Sequence, residues 1–376
     1  MLKVFEAFAG YGSQRMALRN LGIEHEVVAI SEFDKYADAS YQAIHGETWN
    51  MGDITKIDVD DVPDHDLFTY SFPCQDISVA GKGKGFSKDS GTRSGLLWES
   101  ERIIKAKKPK YLLMENVKNL IGKKFIDGFD EWVVALEELG YSNYWEVLNA
   151  KDFGIPQNRE RVFMVSILGE HKPYIFPKQI KLEKRLKDVL KDGVDEKYYL
   201  DDERAQQLIA TITSKQSKDD LGAIKPERIL GIFDKENRRH QAGSVYNKDK
   251  IAPTLDTMQG GWRQPSIIDE PTIVDAIYNN REPRVYDEYA PTLRSERHGL
   301  DVVNNYRIRK LTPLECFRLM DVTDEDFYKA QAVNSNSQLY KQAGNSIVVS
   351  VLEAIFRNMF LEVPEKDLIG EHISLF

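Results

Sequence analysis

Through the first 170 residues, short apolar blocks alternate with stretches of helical period. KVFEAFA (3–9), EVVAISE (26–32), DLFTYSF (66–72), YLLMENV (111–117) and RVFMVSI (161–167) read as buried strands. Helical patterns fall between them, over about Ser13–Leu21, near 95–108 and near 128–139. Strands alternating with helices predict a parallel α/β sheet covered on both faces.

The pattern changes near Pro173. KQIKLEKRLKDVLKDG is charged and short-helical, and the residues after it carry strands, turns and little helical period. An echo links VYNKDKIAPTL (245–255) to VYDEYAPTL (285–293), with the APT elements 38 residues apart. Two copies do not make a solenoid; they read as two strand-turn units of one sheet. Helical period returns at about Leu311, and SIVVSVLEAIFRNMFLE (346–362) predicts an apolar helix that packs back on the first domain.

Length and composition narrow the class. The chain has 376 residues, 41% hydrophobic and 30% charged, which excludes disorder as the main state and allows about two domains. No run of 18 apolar residues occurs, and MLKVFEAFAGYG lacks the pattern of a secretory leader, so neither a membrane span nor export is expected. Two cysteines, Cys74 and Cys316, cannot build a disulfide scaffold or a multi-cysteine zinc site. No metal is expected. The net charge of −9 is unevenly spread: residues 171–310 hold 26 basic against 23 acidic residues, and the remainder carries −12. The relatively basic middle is compatible with a phosphate-facing surface, and equally with chance.

Candidate chemistry begins at FAGYGS (8–13), between a strand and a helix, where backbone amides can face a ligand. A tight βα turn explains the same glycines. Glu32, 20 residues after Gly12 and ending the next strand, is placed to take two ribose hydroxyls. Asp53, in GDIT, could accept from an adenine amino group. The three in order point to a nucleoside-bearing cofactor, and the absence of a phosphate-loop motif disfavours ATP or GTP. Cys74 follows the strand 66–72, at the carboxyl edge where open α/β sheets place ligand chemistry. A buried structural cysteine is the plainer alternative. Residues 81–95 hold five glycines and four Lys/Arg, including Lys82 and Arg93, either a solvated loop or a basic lid over a phosphate backbone. Glu115 ends another strand on the same edge, as a proton donor or a solvated acid. Arg159 and Arg161 stand two apart before a strand, so alternation puts them on one face. They suit a base carbonyl or a neighbouring loop, and also surface salt bridging.

These segments carry a family resemblance. FAGYG, SEFDKYA, GDIT, FPCQ, MENV, QNRER, RKLTPLECFRLM and QAGNSIVVSV stand in the order of the DNA (cytosine-5)-methyltransferases, over about residues 4–355, with 173–305 less well covered. The resemblance implies a Rossmann-like, mostly parallel sheet with helices on both faces, as in class I S-adenosylmethionine-dependent methyltransferases, plus a smaller, irregular β-rich target-recognition domain. It implies a catalytic domain over 1–172, target recognition over 173–305, a hinge over 306–335, and a return to the catalytic domain over 336–376.

It further implies methyl transfer from S-adenosylmethionine, yielding S-adenosylhomocysteine, to C5 of a flipped-out cytosine. Cys74 resembles the nucleophile, Glu115 the acid at N3, Arg161 the arginine on the base O2, and Arg159 the one supporting the pocket. Phe8, Gly10, Gly12, Glu32, Phe33, Asp53, Ile54 and Asn345 match cofactor-binding positions. Gln75, Ser78, Lys82, Arg93, Thr254 and Thr292 match DNA-binding ones, with Thr254 and Thr292 as rival candidates for one Thr-Leu pair. Arg263, Arg294 and Arg297 are further contact candidates. Ser13 departs from the family's usual second glycine, and Cys316 falls in a structural helix. Expected partners are double-stranded DNA and, in a restriction–modification system, a separately acting endonuclease. A monomeric protein in the cytoplasm of a bacterial or phage-infected cell is expected. The alternative on the same scaffold is a tRNA cytosine-5 methyltransferase.

Overall fold

The computed structural model describes residues 1–77, 85, 94–205, 207, 226–231, 243–258, 262–269, 272–275, 284–286, 300–303 and 307–361. Its main sheet holds β1 (Leu2–Ala7), β2 (His25–Ser31), β3 (Leu67–Tyr70), β4 (Tyr111–Val117), β5 (Tyr141–Asn149) and β6 (Glu160–Leu168), in the order β2-β1-β3-β4-β6-β5. The first four run parallel, and β6 is antiparallel to both β4 and β5. The mostly parallel sheet expected from the sequence is therefore present. β5 was not among the expected strands: Ser142 and Glu146 point to solvent, so this edge strand lacks the apolar run that marks its neighbours.

Alternation along the strands sends neighbouring side chains to opposite faces. Val4, Leu67, Leu113, Phe163 and Val165 join one core, with Met16 and Leu18 of α1 (Ser13–Asn20). Phe5, Phe68, Leu112, Met114, Val162 and Met164 join the other. There they meet Ile103 and Ile104 of α3 (Leu97–Lys107) and Trp132 and Leu136 of α4 (Ile126–Glu138). Both faces are covered, as the near-continuous apolar strands require. Rings fill the second core: Phe5 stacks on Phe68 at 5.4 Å, Phe68 on Tyr70 at 5.3 Å, and Trp132 Nε1 donates to the Tyr70 hydroxyl at 3.2 Å. α2 (Lys35–His45) follows β2, N-capped by Asp34.

The middle of the chain builds two small sheets. One joins β7 (Arg228–Gly231), β8 (Ser244–Tyr246), β9 (Ser266–Asp269) and β13 (Arg307–Lys310) in the order β13-β9-β8-β7. The other joins β10 (Thr272–Asp275), β11 (Arg284–Tyr286) and β12 (Leu300–Val303) in the order β11-β10-β12. The echoed segments contribute to different sheets, Val245–Tyr246 to the first and Val285–Tyr286 to the second, rather than to one sheet. After β13 come α5 (Pro313–Arg318), opened by a Thr312–Glu315 capping box, then α6 (Asp324–Val333), α7 (Asn336–Asn345) and α8 (Val349–Phe360). Val349, Leu352, Ile355 and Phe356 of α8 share one core with Met16 and Leu18 of α1. Among the described residues no helix is long and apolar enough to cross a membrane.

Candidate active site

The glycine loop leaves β1 through left-handed conformations at Phe8 (φ 55°), Gly10 (φ 59°) and Gly12 (φ 84°). Glycine relieves the strain of that region at two of them. A Cβ on Gly12 would stand 2.4 Å from His45 Nε2 and 2.7 Å from a Tyr41 ring carbon, so α2 closes the loop from behind. A Cβ on Gly10 would meet nothing within 4 Å; this side of the loop is open.

Glu32 stands one residue past β2 and faces the loop. Its Oε2 accepts from the Gly10 amide at 2.8 Å and its Oε1 from the Asp34 amide at 2.7 Å. Burial raises its pKa to about 7; the two amides oppose that shift, and the charges of Asp34 and Asp38 add to it. Asn50, which the sequence reading did not single out, lays the following segment beside β2. Its side chain bonds the Glu32 amide and carbonyl, each at 3.0 Å, and the Gly52 amide at 2.9 Å. This brings Asp53 and buried Ile54 to the same edge. Asp53 caps a short turn, accepting from Thr55 N at 3.1 Å and Thr55 Oγ1 at 2.8 Å. Phe33 is 79% exposed beside Glu32, and Asn345 is exposed at the end of α7.

Cys74 lies in the loop after β3, half-buried. Side chains absent from the sequence reading pin that loop. Asn116 Nδ2 donates to Phe72 O at 2.9 Å, Ser94 Oγ donates to Pro73 O at 2.7 Å, and the Asp76 amide donates to Ser94 Oγ at 3.2 Å. The Ile77 amide closes a turn on Cys74 O at 3.0 Å, and Asn119 Nδ2 donates to Ile77 O. Asn116 belongs to the MENV motif itself, whose polar residue inside an apolar strand was the available signal.

The antiparallel course of β6 places the arginines. Were β6 parallel, its start would lie at the far edge of the sheet. Instead Arg161 registers against Val117 at the carboxyl end of β4. Arg161 Nε meets Glu115 Oε1 at 3.1 Å. Arg159, one residue before β6, is 3% exposed and turns elsewhere. Its guanidinium donates to Leu255 O at 3.0 Å, Gly344 O at 2.8 Å and Ser346 O at 2.7 Å. The two arginines thus end on different partners.

Their charges still converge. Burial and the Glu115 charge push the Cys74 thiol pKa up, while Arg161 and Arg159 pull it down. Burial likewise raises Glu115 against both arginines and a Ser71 bond. Cys316 differs: it is fully buried, and burial holds its thiol far above the usual range.

On the side expected to face DNA, Gln75 is exposed beside Cys74 and Arg263 is exposed after β8. Thr254 Oγ1 donates to Asn158 O, and Ala252 bridges Gln157, so the first APTL element is tied to QNRER. Gln157, another residue not singled out, is fully buried and donates to Leu319 O at 2.7 Å. Ser78, Lys82, Arg93, Thr292, Arg294 and Arg297 lie outside the described residues.

Comparison with known proteins agrees with the motif order. The profile of C-5 cytosine-specific DNA methylase matches residues 2–361. The type II methyltransferase M2.ScrFI of Lactococcus lactis subsp. cremoris is 38% identical, over 96% of this chain and 99% of its own. The orphan methyltransferase M.SPBetaI of Bacillus phage SPbeta is 36% identical, over 97% and 99%. Among solved structures, the S. pombe Dnmt2 methyltransferase aligns with a TM-score of 0.63 at 18% identity, over 95% and 97%, which speaks to the fold. The chain belongs to the C-5 cytosine-specific DNA methylase family and is an enzyme of the DNA (cytosine-5)-methyltransferase class.

Proposed function

We propose that the protein methylates C5 of a cytosine flipped out of a specific double-stranded DNA sequence, through a covalent Cys74–C6 adduct, with S-adenosylmethionine as donor. One observation carries this reading: Cys74, Glu115 and Arg161 act on one another at the sheet edge that also holds the glycine loop. When bound, S-adenosylmethionine supplies an electrophilic sulfonium methyl.

The residues present fit that donor. The open side of Gly10 admits close backbone approach, and Glu32 accepts from ribose hydroxyls. Phe8 and exposed Phe33 pack on adenine, Asp53 takes its amino group beside Ile54, and Asn345 reaches the methionine end. Gly12 serves by letting α2 approach the loop.

Catalysis starts from an inert nucleophile. With Glu115 ionised, the Cys74 thiol is held up by burial and by that charge. Protonated Glu115 removes the repelling anion and donates to the base N3. Cys74 gives its proton to solvent and adds to C6 as the thiolate while the C5–C6 pair moves to C5. C5 then takes the methyl of the bound donor, whose sulfonium carbon–sulfur bond breaks with S-adenosylhomocysteine as the leaving group. Solvent water then takes the C5 proton, the C–H pair re-forms C5–C6 and expels the Cys74 thiolate, and the N3 proton returns to Glu115, restoring the ring. Arg161 orients Glu115 and takes the base O2; Arg159 ties this edge to α7.

Residues 173–305 read the target, 306–335 form the hinge, and 1–172 with 336–376 form the catalytic body. The bond from Thr254 to Asn158 supports Thr254–Leu255 as the pair nearest the catalytic edge. Gln75, Ser78, Lys82 and Arg93 contact the opened duplex. The protein acts as a monomer in a bacterial or phage-infected cytoplasm, alone or beside a separate restriction endonuclease.

The test uses tritiated S-adenosylmethionine, offered with unmethylated duplex DNA and, separately, with tRNA. Label is expected in 5-methylcytosine of DNA, and bisulfite sequencing of that product locates the site. Label in tRNA alone would overturn the reading.

A further inference from the structure

Glu32 stands in an awkward electrostatic position for a ribose ligand. Its side chain is partly buried, and the Asp34 and Asp38 carboxylates of the α2 start both disfavour its ionisation. Among the described residues, the cation bonded to this group of acids comes from the far end of the sequence. Lys341, on α7, places Nζ 2.6 Å from Asp34 Oδ2. The other Asp34 oxygen accepts from the Tyr36 amide at 2.9 Å, so the carboxylate is turned into the helix while its own amide faces Glu32 at 2.7 Å.

We propose that Lys341 is a positioning residue for the cofactor, the counter-charge that lets Glu32 bind the ribose as a carboxylate beside Asp34. This rests on the cofactor reading of Glu32 given above. The pairing of α7 with α2 does not depend on Lys341. Ser40 Oγ donates to Gln342 Oε1 at 2.8 Å and Gln342 Nε2 to Tyr36 O at 3.0 Å, and Asn334, two residues before α7, donates from Nδ2 to Tyr36 O at 2.9 Å. Removing the ammonium therefore leaves the helices docked and changes mainly the charge.

The experiment is calorimetric binding of S-adenosylhomocysteine to the full chain at several pH values. Lys341→Met is expected to weaken binding about fivefold at pH 7, and the loss narrows to within about twofold at pH 8.5, where Glu32 ionises unaided. Lys341→Arg retains the charge and is expected to bind as the parent does. Asp34→Asn keeps a competent helix cap while removing the like charge. Adding it to Lys341→Met should restore binding to within about twofold of the parent, because the counter-charge is then unnecessary. A purely mechanical tether gives the opposite: a loss independent of pH that Asp34→Asn leaves in place or deepens. Either that pattern or unchanged binding in Lys341→Met overturns the proposal. Glu32→Gln separates the two readings. If it weakens binding while Lys341→Met does not, only the role of Lys341 falls; if it binds as the parent does, the cofactor reading of Glu32 falls too.

Discussion

Glu115 and Glu32 are both acids whose pKa values burial raises, and the proposed mechanism sets them at opposite ends of the reaction. Glu115 is useful protonated, so Glu115→Gln, which keeps the shape without the acidic proton, should slow single-turnover methyl transfer by about 10²–10⁴-fold. Binding of S-adenosylhomocysteine should be unchanged; a parallel loss of binding would mean the variant had disturbed the sheet edge. In the proposed cofactor site Glu32 is useful ionised. With its pKa near 7, affinity for S-adenosylhomocysteine should fall as pH drops, by about tenfold from pH 8 to pH 6. A Glu32→Gln variant should show a flat profile over that range. Both acids were legible in the sequence because each stands at or near the carboxyl end of an apolar strand, where ligand chemistry is placed. Ser94, Asn116 and Asn50 were not legible. Their work is to bond backbone carbonyls and amides of segments distant in sequence, and nothing local announces such a partner.

At the scale of elements, period and alternation were enough for the parallel strands but not for the hairpin that completes the site. β5 is an edge strand with polar positions turned to water, so its pattern is diluted. Missing it hides the fact that β6 enters antiparallel, and with it the reason Arg161 reaches Glu115. Alternation also failed at Arg159, which precedes the strand and obeys loop geometry instead. That residue depends on how α7 meets the APTL segment. A Cβ on Gly344 would lie 1.9 Å from Asp256 O and 2.8 Å from Thr257 N, both backbone atoms that cannot rotate away. Gly344→Ala must therefore push α7 from the strap formed by residues 252–257 and shift a carbonyl that holds Arg159. The expected cost is at least about 2 kcal/mol in urea unfolding, the range of an overpacked core, with a fall in methyl transfer. A variant as stable and active as the parent would show that the helix and strap are not in contact.

At the scale of the molecule, the first and last helices of the described residues share one core. Met16 and Leu18 from the first helix share it with Val349, Leu352, Ile355 and Phe356 of the last. Polar links reinforce the seam: Asn20 Nδ2 donates to Glu353 Oε1 at 2.7 Å, and Arg19 pairs with Asp326 at 2.6 Å. The apolar period of 346–362 predicted a buried helix, but the face it covers depends on a fold that passes through two intervening sheets. Burying each such side chain contributes about 1.5–3 kcal/mol, so losing α8 would remove about 10 kcal/mol. Whole domains are stable by only about 5–15 kcal/mol. A chain ending at residue 348 should therefore show no cooperative thermal transition and should bind an apolar dye, although every residue assigned to catalysis and cofactor binding is still present. If α8 were an appendage, the shortened chain would melt cooperatively and still bind S-adenosylhomocysteine. The two outcomes separate a helix that completes the core of the main sheet from one that merely rests on it. The shared core requires the first, because Val4 and Leu67 on the sheet face beneath α1 have the same apolar cover to lose.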